Sequence, residues 1–320
     1  MRGKIMQKKM MTCGLLALFS PMCFAGGATV SGFADITLTS DSDQRTFLAN
    51  AEVDVSNKLS EKVAVQVDFD LALGVTGAGA TNGSNSSAAG ISSGPADSAV
   101  LEQAFFSYSA MPNVTVLGGL FNNPIGWEAE DAPGLYQISH GQIWGILDGQ
   151  TALYGNNVAG VGLAGSVGPA TITLAALNDI GLSDLEKNSF AAVANLSPTK
   201  GADVEIGYVT QPNGAGNVWD VNAAYSIMGA TVGVEVLGAE NVVDLAYAGT
   251  VNYMVNNLFG ATVRFDNVSY EAAGTKDSKT YALAGIVNAA KNLTVLLEFH
   301  RSDDGTTEDD MIVAEFVAQF

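Results

Sequence analysis

Apolar residues fall at every second position through most of this chain. Val63, Val65, Val67, Phe69, Leu71 and Leu73 alternate with Ala64, Gln66, Asp68, Asp70 and Ala72. Trp219, Val221, Ala223, Tyr225 and Ile227 alternate with Asp220, Asn222, Ala224 and Ser226. Leu293, Val295, Leu297 and Phe299 alternate with Thr294, Leu296, Glu298 and His300. Successive side chains of a strand point to opposite faces, so a period of two predicts strands with one apolar and one polar side. Sixteen such segments are predicted, near 29–39, 47–56, 61–73, 99–109, 113–121, 151–167, 170–178, 189–197, 202–210, 218–228, 230–237, 242–255, 258–266, 279–289, 292–300 and 309–320.

The connections between these segments alternate in length. Short ones carry Pro112-Asn113, Gly168-Pro169, Met228-Gly229 and Asn256-Asn257, whereas 74–98, 121–150, 179–188, 267–278 and 301–308 are longer and polar. Short turns at one end and long loops at the other predict an all-β fold, a transmembrane antiparallel β-barrel of about 16 strands. An even count puts both termini on the short-turn, periplasmic side. The uncharged stretch Ala159–Leu177 has the length of a membrane helix, but Gly160, Gly162, Gly165 and Gly168-Pro169 break it into two strands and a hairpin. A secreted β-sandwich is the competing all-β fold; the alternating loop lengths and a final strand running Ile312, Ala314, Phe316, Ala318 to a terminal Phe320 favour the barrel.

Charge and composition narrow the class. Among 320 residues, 14 are Lys or Arg and 33 are Asp or Glu, a net charge of −19. So acidic a chain is a poor partner for the phosphate backbone, which excludes nucleic-acid binding. Mean hydropathy is +0.22, yet apolar residues are spread rather than gathered into blocks, which excludes a helical membrane bundle. Residues 1–25 are expected to be a cleaved signal peptide: Arg2, Lys4, Lys8 and Lys9 precede an apolar run, and Cys23-Phe24-Ala25 ends it. The leader takes four of the 14 basic residues and none of the acids, deepening the net charge to −23. It also takes Cys13 and Cys23, which leaves 26–320, the expected single barrel domain, without a thiol, disulfide or Cys metal site.

Assigning apolar faces to lipid places Asp35, Glu52, Asp54, Asp68, Asp70, Glu205, Asp220, Glu235, Asp244, Asp266, Glu298 and Glu315 inward, with Arg264 and His300 among them. Carboxylate-lined walls attract cations, so the expected lumen is cation-preferring. Glu102 defies the assignment, because its parity is that of Val100, Phe106 and Tyr108. Connection 121–150 carries Glu128, Glu130, Asp131 and Asp148 beside Trp127 and Trp144, stiffened by Pro124 and Pro133. The acids around Gly305, including Asp303, Asp304, Asp309 and Asp310, lack EF-hand spacing and are expected to be a solvated loop. Catalysis would need a nucleophile and base in reach of each other. Ser139 precedes His140, but neighbours on a strand point apart, and no G-x-S-x-G turn is present. No catalytic residue, metal or cofactor is expected.

The most distinctive wording runs from Leu101-Glu102-Gln103-Ala104-Phe105 through Met111-Pro112-Asn113 and Gly118-Gly119-Leu120-Phe121-Asn122-Asn123-Pro124-Ile125-Gly126-Trp127-Glu128 to Asp131-Ala132-Pro133 and Ser139. It resembles the OmpL-like β-barrel porins of Gram-negative outer membranes. That resemblance implies a pore for passive diffusion of small hydrophilic solutes or cations, located in the outer membrane among lipids and lipopolysaccharide. It implies that the third long connection, 121–150, folds into the lumen as a constriction. It also implies that Phe320 is a C-terminal signal for the barrel-assembly machinery, and that the barrel forms a homotrimer. General porins oppose their constriction acids with an arginine cluster; here Arg45, Arg264 and Arg301 lie on separate segments.

Overall fold

A computed structural model of the chain describes residues 27–40, 45–73, 97–153, 155–182, 186–212 and 216–320. The leader 1–25 and the connection 74–96 lie outside them. The first eight strands are β1 (Thr29–Ser40), β2 (Arg45–Lys58), β3 (Val63–Leu73), β4 (Asp97–Met111), β5 (Val114–Asn122), β6 (Asn157–Val167), β7 (Ala170–Asn178) and β8 (Asn188–Thr199). The remaining eight are β9 (Ala202–Thr210), β10 (Val218–Ile227), β11 (Ala230–Ala239), β12 (Val243–Met254), β13 (Phe259–Tyr270), β14 (Ser278–Ala290), β15 (Leu293–Asp303) and β16 (Glu308–Gln319). Each pairs with its sequence neighbours, and β1 pairs antiparallel with β16, from Phe33 opposite Gln319 to Ser40 opposite Ile312. The sheet is therefore a closed sixteen-strand barrel, and closure leaves no edge with unpaired N–H and C=O groups.

Faces follow the sequence parity. Ile36, Phe69, Leu71, Ile206, Val221, Val263, Leu283, Leu297 and Phe316 are exposed on the outside, while Asp35, Asp68, Glu205, Asp220, Arg264, Asp266, Glu298 and Glu315 are buried on the inside. Tyr108, Tyr208, Trp219, Tyr225, Tyr247, Tyr253 and Tyr281 are exposed with the apolar set. Such an outer surface suits a hydrocarbon solvent with aromatic residues towards its interfaces.

Among the register irregularities of the sheet, two shift the phase at acidic residues. Between β3 and β4, Asp68 pairs with Gln103 but Phe69 with Leu101, so Glu102 is the extra residue. Glu102 and Gln103 consequently both turn inward, at 2% and 9% exposure, while Leu101 and Phe106 face out. The anomalous parity of Glu102 is thus the imprint of the bulge. A second irregularity at Val243–Leu245 in β12 leaves Asp244 exposed, which corrects the inward position expected for it.

One expected strand is shorter than the alternation suggested. Segment 151–167 enters the sheet only at Asn157, because the chain before it forms a helix, α1 (Gln142–Gln150), that the sequence did not announce.

Val263 lies mid-strand, between Val251 and Leu283 on its neighbours, with all three side chains exposed outward. Val263→Arg should cost about 2–4 kcal/mol in a urea titration of the barrel in lipid vesicles. The same charge at Val167, beside a short turn, should cost about 0–1 kcal/mol, because an interfacial Arg reaches water.

Candidate constriction site

The connection between β5 and β6, residues 123–156, turns back into the barrel. Its apolar residues explain why. Ile125, Ile143 and Leu147 are buried in one cluster with Leu177, Val209, Val218, Leu237 and Val268 of the wall. The inner face of β7 to β13 is therefore partly apolar, and the connection covers it. Two wall glycines make the approach possible. A Cβ on Gly207 would meet the Ile125 side chain, and one on Gly233 would meet the Trp127 ring, so only glycine lets the two side chains lie flat on the sheet.

Polar contacts fix the register. The Gly126 N–H donates to Glu205 Oε1 at 3.2 Å and the Trp127 N–H to Glu235 Oε1 at 2.8 Å. Farther along, the Ile138 N–H donates to Glu298 Oε2 at 2.6 Å, the Ser139 hydroxyl also donates to Glu298, and the Gln142 N–H donates to Asp266 Oδ1 at 3.3 Å. The Thr262 hydroxyl donates to the Tyr136 carbonyl at 2.7 Å. A connection this buried must satisfy its backbone N–H groups, and the wall carboxylates supply acceptors. A hydrogen bond to a charged acceptor contributes about 1.5–3 kcal/mol net.

Arg264 is the hub. Its Nε stands 2.9 Å from Asp266 Oδ2 and its Nη1 3.5 Å from Glu128 Oε2. It also donates to the Ser139 carbonyl and, at 2.8 Å, to the His140 carbonyl. His140 in turn meets Glu128 Oε1 at 2.7 Å through Nδ1 and stacks on Trp144 with ring centroids 3.8 Å apart. Burial works against the Glu128 anion, but the His140 hydrogen bond and the Arg264 charge outweigh it and hold the carboxyl below its usual range.

These contacts divide the expected site residues into two groups. Glu205, Glu235, Asp266 and Glu298 bond to the inserted connection, and Glu128 pairs with Arg264 and His140. Asp148 accepts the Asn156 N–H at 2.8 Å, and Asp220 is buried against Asn222. Across the bore, Asp35, Glu52, Asp54, Asp68 and Asp70 share the inner wall of β1 to β3 with Glu102 of β4; Asp54 and Asp70 are only half-buried. Glu130 and Asp131 of the connection face that wall. Burial and then repulsion from Asp131 and Asp148 push Glu130 well above its usual range; burial, with Asp54 and Asp70 adding, pushes Asp131 up against an opposing hydrogen bond with Glu52. Apart from Arg264, every Lys and Arg among the described residues is exposed. Glu315 is buried on β16, and the half-buried His300 lies on β15.

Ser139 and His140 belong to the inserted connection and not to a strand. The Ser139 hydroxyl engages Glu298 and Arg264, and the His140 ring engages Glu128 and Trp144, so they form no nucleophile–base pair with each other. In the exposed β15–β16 connection, Asp304 Oδ1 accepts the Thr306 and Thr307 N–H groups, each at 2.7 Å, and Arg301 pairs with Asp310 at 2.6 Å. Asp303, Asp304 and Asp310 thus find ordinary surface partners.

Similar architectures occur among solved porins. A mutant of Rh. blastica porin superposes with a TM-score of 0.63 at 14% identity, covering 92% of this chain and all of that one. A loop-deletion mutant of OmpT, an outer membrane protein of Vibrio cholerae, superposes with a TM-score of 0.63 at 14% identity, covering 93% of this chain and all of that one. No family model and no curated relative matches the chain. What these proteins share with the chain is the fold; the narrower OmpL-like resemblance has no family match behind it.

Two of the three tryptophans, Trp127 and Trp144, are buried at 8% and 4% exposure within the inserted connection, so emission reports its docking. Arg264→Leu leaves Glu128 and Asp266 buried without their guanidinium partner and should cost about 3–5 kcal/mol in chemical denaturation. Gly233→Val should displace Trp127, red-shifting the emission while the strand signal in circular dichroism is kept. Because Glu128 is held below 4.5, its stabilisation of the docked connection is complete above that pH and is lost as the pH falls through its lowered value. Wild-type emission should therefore stay blue at pH 5 and shift red only on stronger acidification, read as fluorescence against pH.

Proposed function

We propose that this chain is an outer-membrane porin: a passive, non-catalytic channel for small hydrophilic solutes with a cation preference. Residues 1–25 direct export, Phe320 at the end of β16 presents the assembly signal, and residues 123–156 form the constriction. The observation that carries this reading is the docking of the connection inside a closed sixteen-strand barrel. It covers the apolar inner face of β7 to β13, while Asp54 and Asp70 across the bore remain half-buried. Of the inward-facing acids, those two have the best access to passing ions. Arg264, already engaged by Glu128 and Asp266, offers little opposing field. Selectivity then rests on a net-negative wall.

A second reading has its own support. The connection also reaches the β2–β4 wall, where an Asp131 carboxylate oxygen lies within 4.8 Å of oxygens on Glu52 and Glu102. A segment that spans the bore could close it, and the barrel would then serve as a structural or adhesive platform.

Planar-bilayer recording of the refolded chain under a KCl gradient separates the two. The porin reading expects discrete steps with a reversal potential of the K⁺ sign. The preference should shrink towards zero in Asp54→Asn/Asp70→Asn. It should also weaken from 0.1 M to 1 M KCl, as the Debye length falls from about 10 Å to about 3 Å. Anion preference would overturn the acidic-lumen assignment, and silence from folded, inserted protein would favour the closed barrel.

A further inference from the structure

The two walls of the bore treat their carboxylates differently. On the β9–β15 side each anchoring acid meets a backbone N–H, a hydroxyl or Arg264. On the β2–β4 side Asp54 accepts the Ser31 hydroxyl at 3.0 Å and Asp68 the Gln66 amide at 2.7 Å, but further carboxylate oxygens meet one another. One oxygen each from Glu52, Glu102 and Asp131 lie within 4.8 Å of one another, and a second set, Glu52, Asp54 and Asp68, shares Glu52. Glu52 is 5% exposed and Glu102 2%. The Glu102 Oε1 is buried with no hydrogen-bond partner, as is the Asp68 Oδ1. Asp131 precedes the short 3-10 turn Ala132–Gly134 but makes no capping hydrogen bond to it, so its carboxylate is not consumed locally. Among the described residues, no Lys or Arg forms an ion pair with any of these acids.

Buried carboxylates that meet mainly one another are costly unless a cation or protons join them. Three of them converging on one point, with hard oxygen donors alone, fit a hard divalent cation. Ca²⁺ takes about six to eight oxygens, with carboxylates mono- or bidentate in a flexible shell, and so suits an irregular set of protein carboxylates, whereas Mg²⁺ demands near-ideal octahedral geometry and keeps several waters.

We infer that Glu52, Glu102 and Asp131 form a calcium site that clamps the inserted connection to the β2–β4 wall. Two strands of the barrel supply two ligands and the connection supplies the third, so the ion joins elements that otherwise repel. Arg264 holds the connection from one side of the bore and Ca²⁺ from the other. The inference does not depend on whether the barrel conducts.

The test is calcium binding to the full refolded chain in lipopolysaccharide-free detergent, first stripped with chelator, followed by titration calorimetry with CaCl₂ or MgCl₂. One saturable Ca²⁺ site per chain is expected, with Mg²⁺ at least tenfold weaker. Glu102→Gln and Asp131→Asn should each weaken Ca²⁺ at least tenfold, whereas Asp304→Asn, in the exposed β15–β16 connection, should leave it unchanged. Both site variants remove repulsion, so in chelator they should unfold at a denaturant midpoint no lower than wild type. Adding Ca²⁺ should raise the wild-type midpoint but not theirs. Absence of saturable binding by wild type with intact strand signal would overturn the site. So would an equal Ca²⁺-induced rise in wild type and in Glu102→Gln/Asp131→Asn.

Discussion

Hydrocarbon cannot hydrogen-bond a peptide group, and everything else in this chain follows from meeting that condition with strands. A strand in lipid needs partners on both sides along its whole length, which only closure provides. Pairing of β1 with β16 supplies the last set of partners. Closure then fixes two environments, and strict alternation assigns each residue to one of them. The apolar set faces out because lipid excludes charge; the acids face in because nowhere else along the strands can solvate them.

The interior could have been a simple water-filled bore, but the inner wall is not uniformly polar. Val209, Val218, Leu237 and Val268 face inward and would be wetted in an open pore. Residues 123–156 resolve this by folding over them, and their own buried backbone then requires acceptors. Glu205, Glu235, Asp266 and Glu298 provide these, and Arg264 balances the charge. The acids that look most like a selectivity lining along the strands thus mainly hold the inserted connection in place. The opposite wall carries Asp54 and Asp70 half-buried and Glu52 and Glu102 buried.

Much of the barrel was legible in the sequence because period-two alternation is a local property that the outer lipid and inner lumen both enforce. Strand number, order and face came from it, as did the place of the long connection. What was hidden were features set by contacts between distant segments. Helix α1 has no capping side chain and exists because Ile143, Trp144 and Leu147 pack inside the barrel. The bulges at Glu102 and Asp244 break the parity rule, and only the first left a visible trace, a lone acid on an apolar face. The division of the acids into anchors and lining was also out of reach, since each anchor pairs with a backbone group 79 to 160 residues away or, for Asp266, 124 residues away.

The central claim is that residues 123–156, folded into the lumen, set the limiting width of a conducting barrel. Single-channel conductance of wild type, compared with a chain in which 124–155 is replaced by a short Gly-Ser link, tests it most directly. The account predicts a several-fold larger conductance and entry of larger sugars in liposome swelling. Equal conductance and the same size limit in both proteins, with both barrels intact, would contradict it.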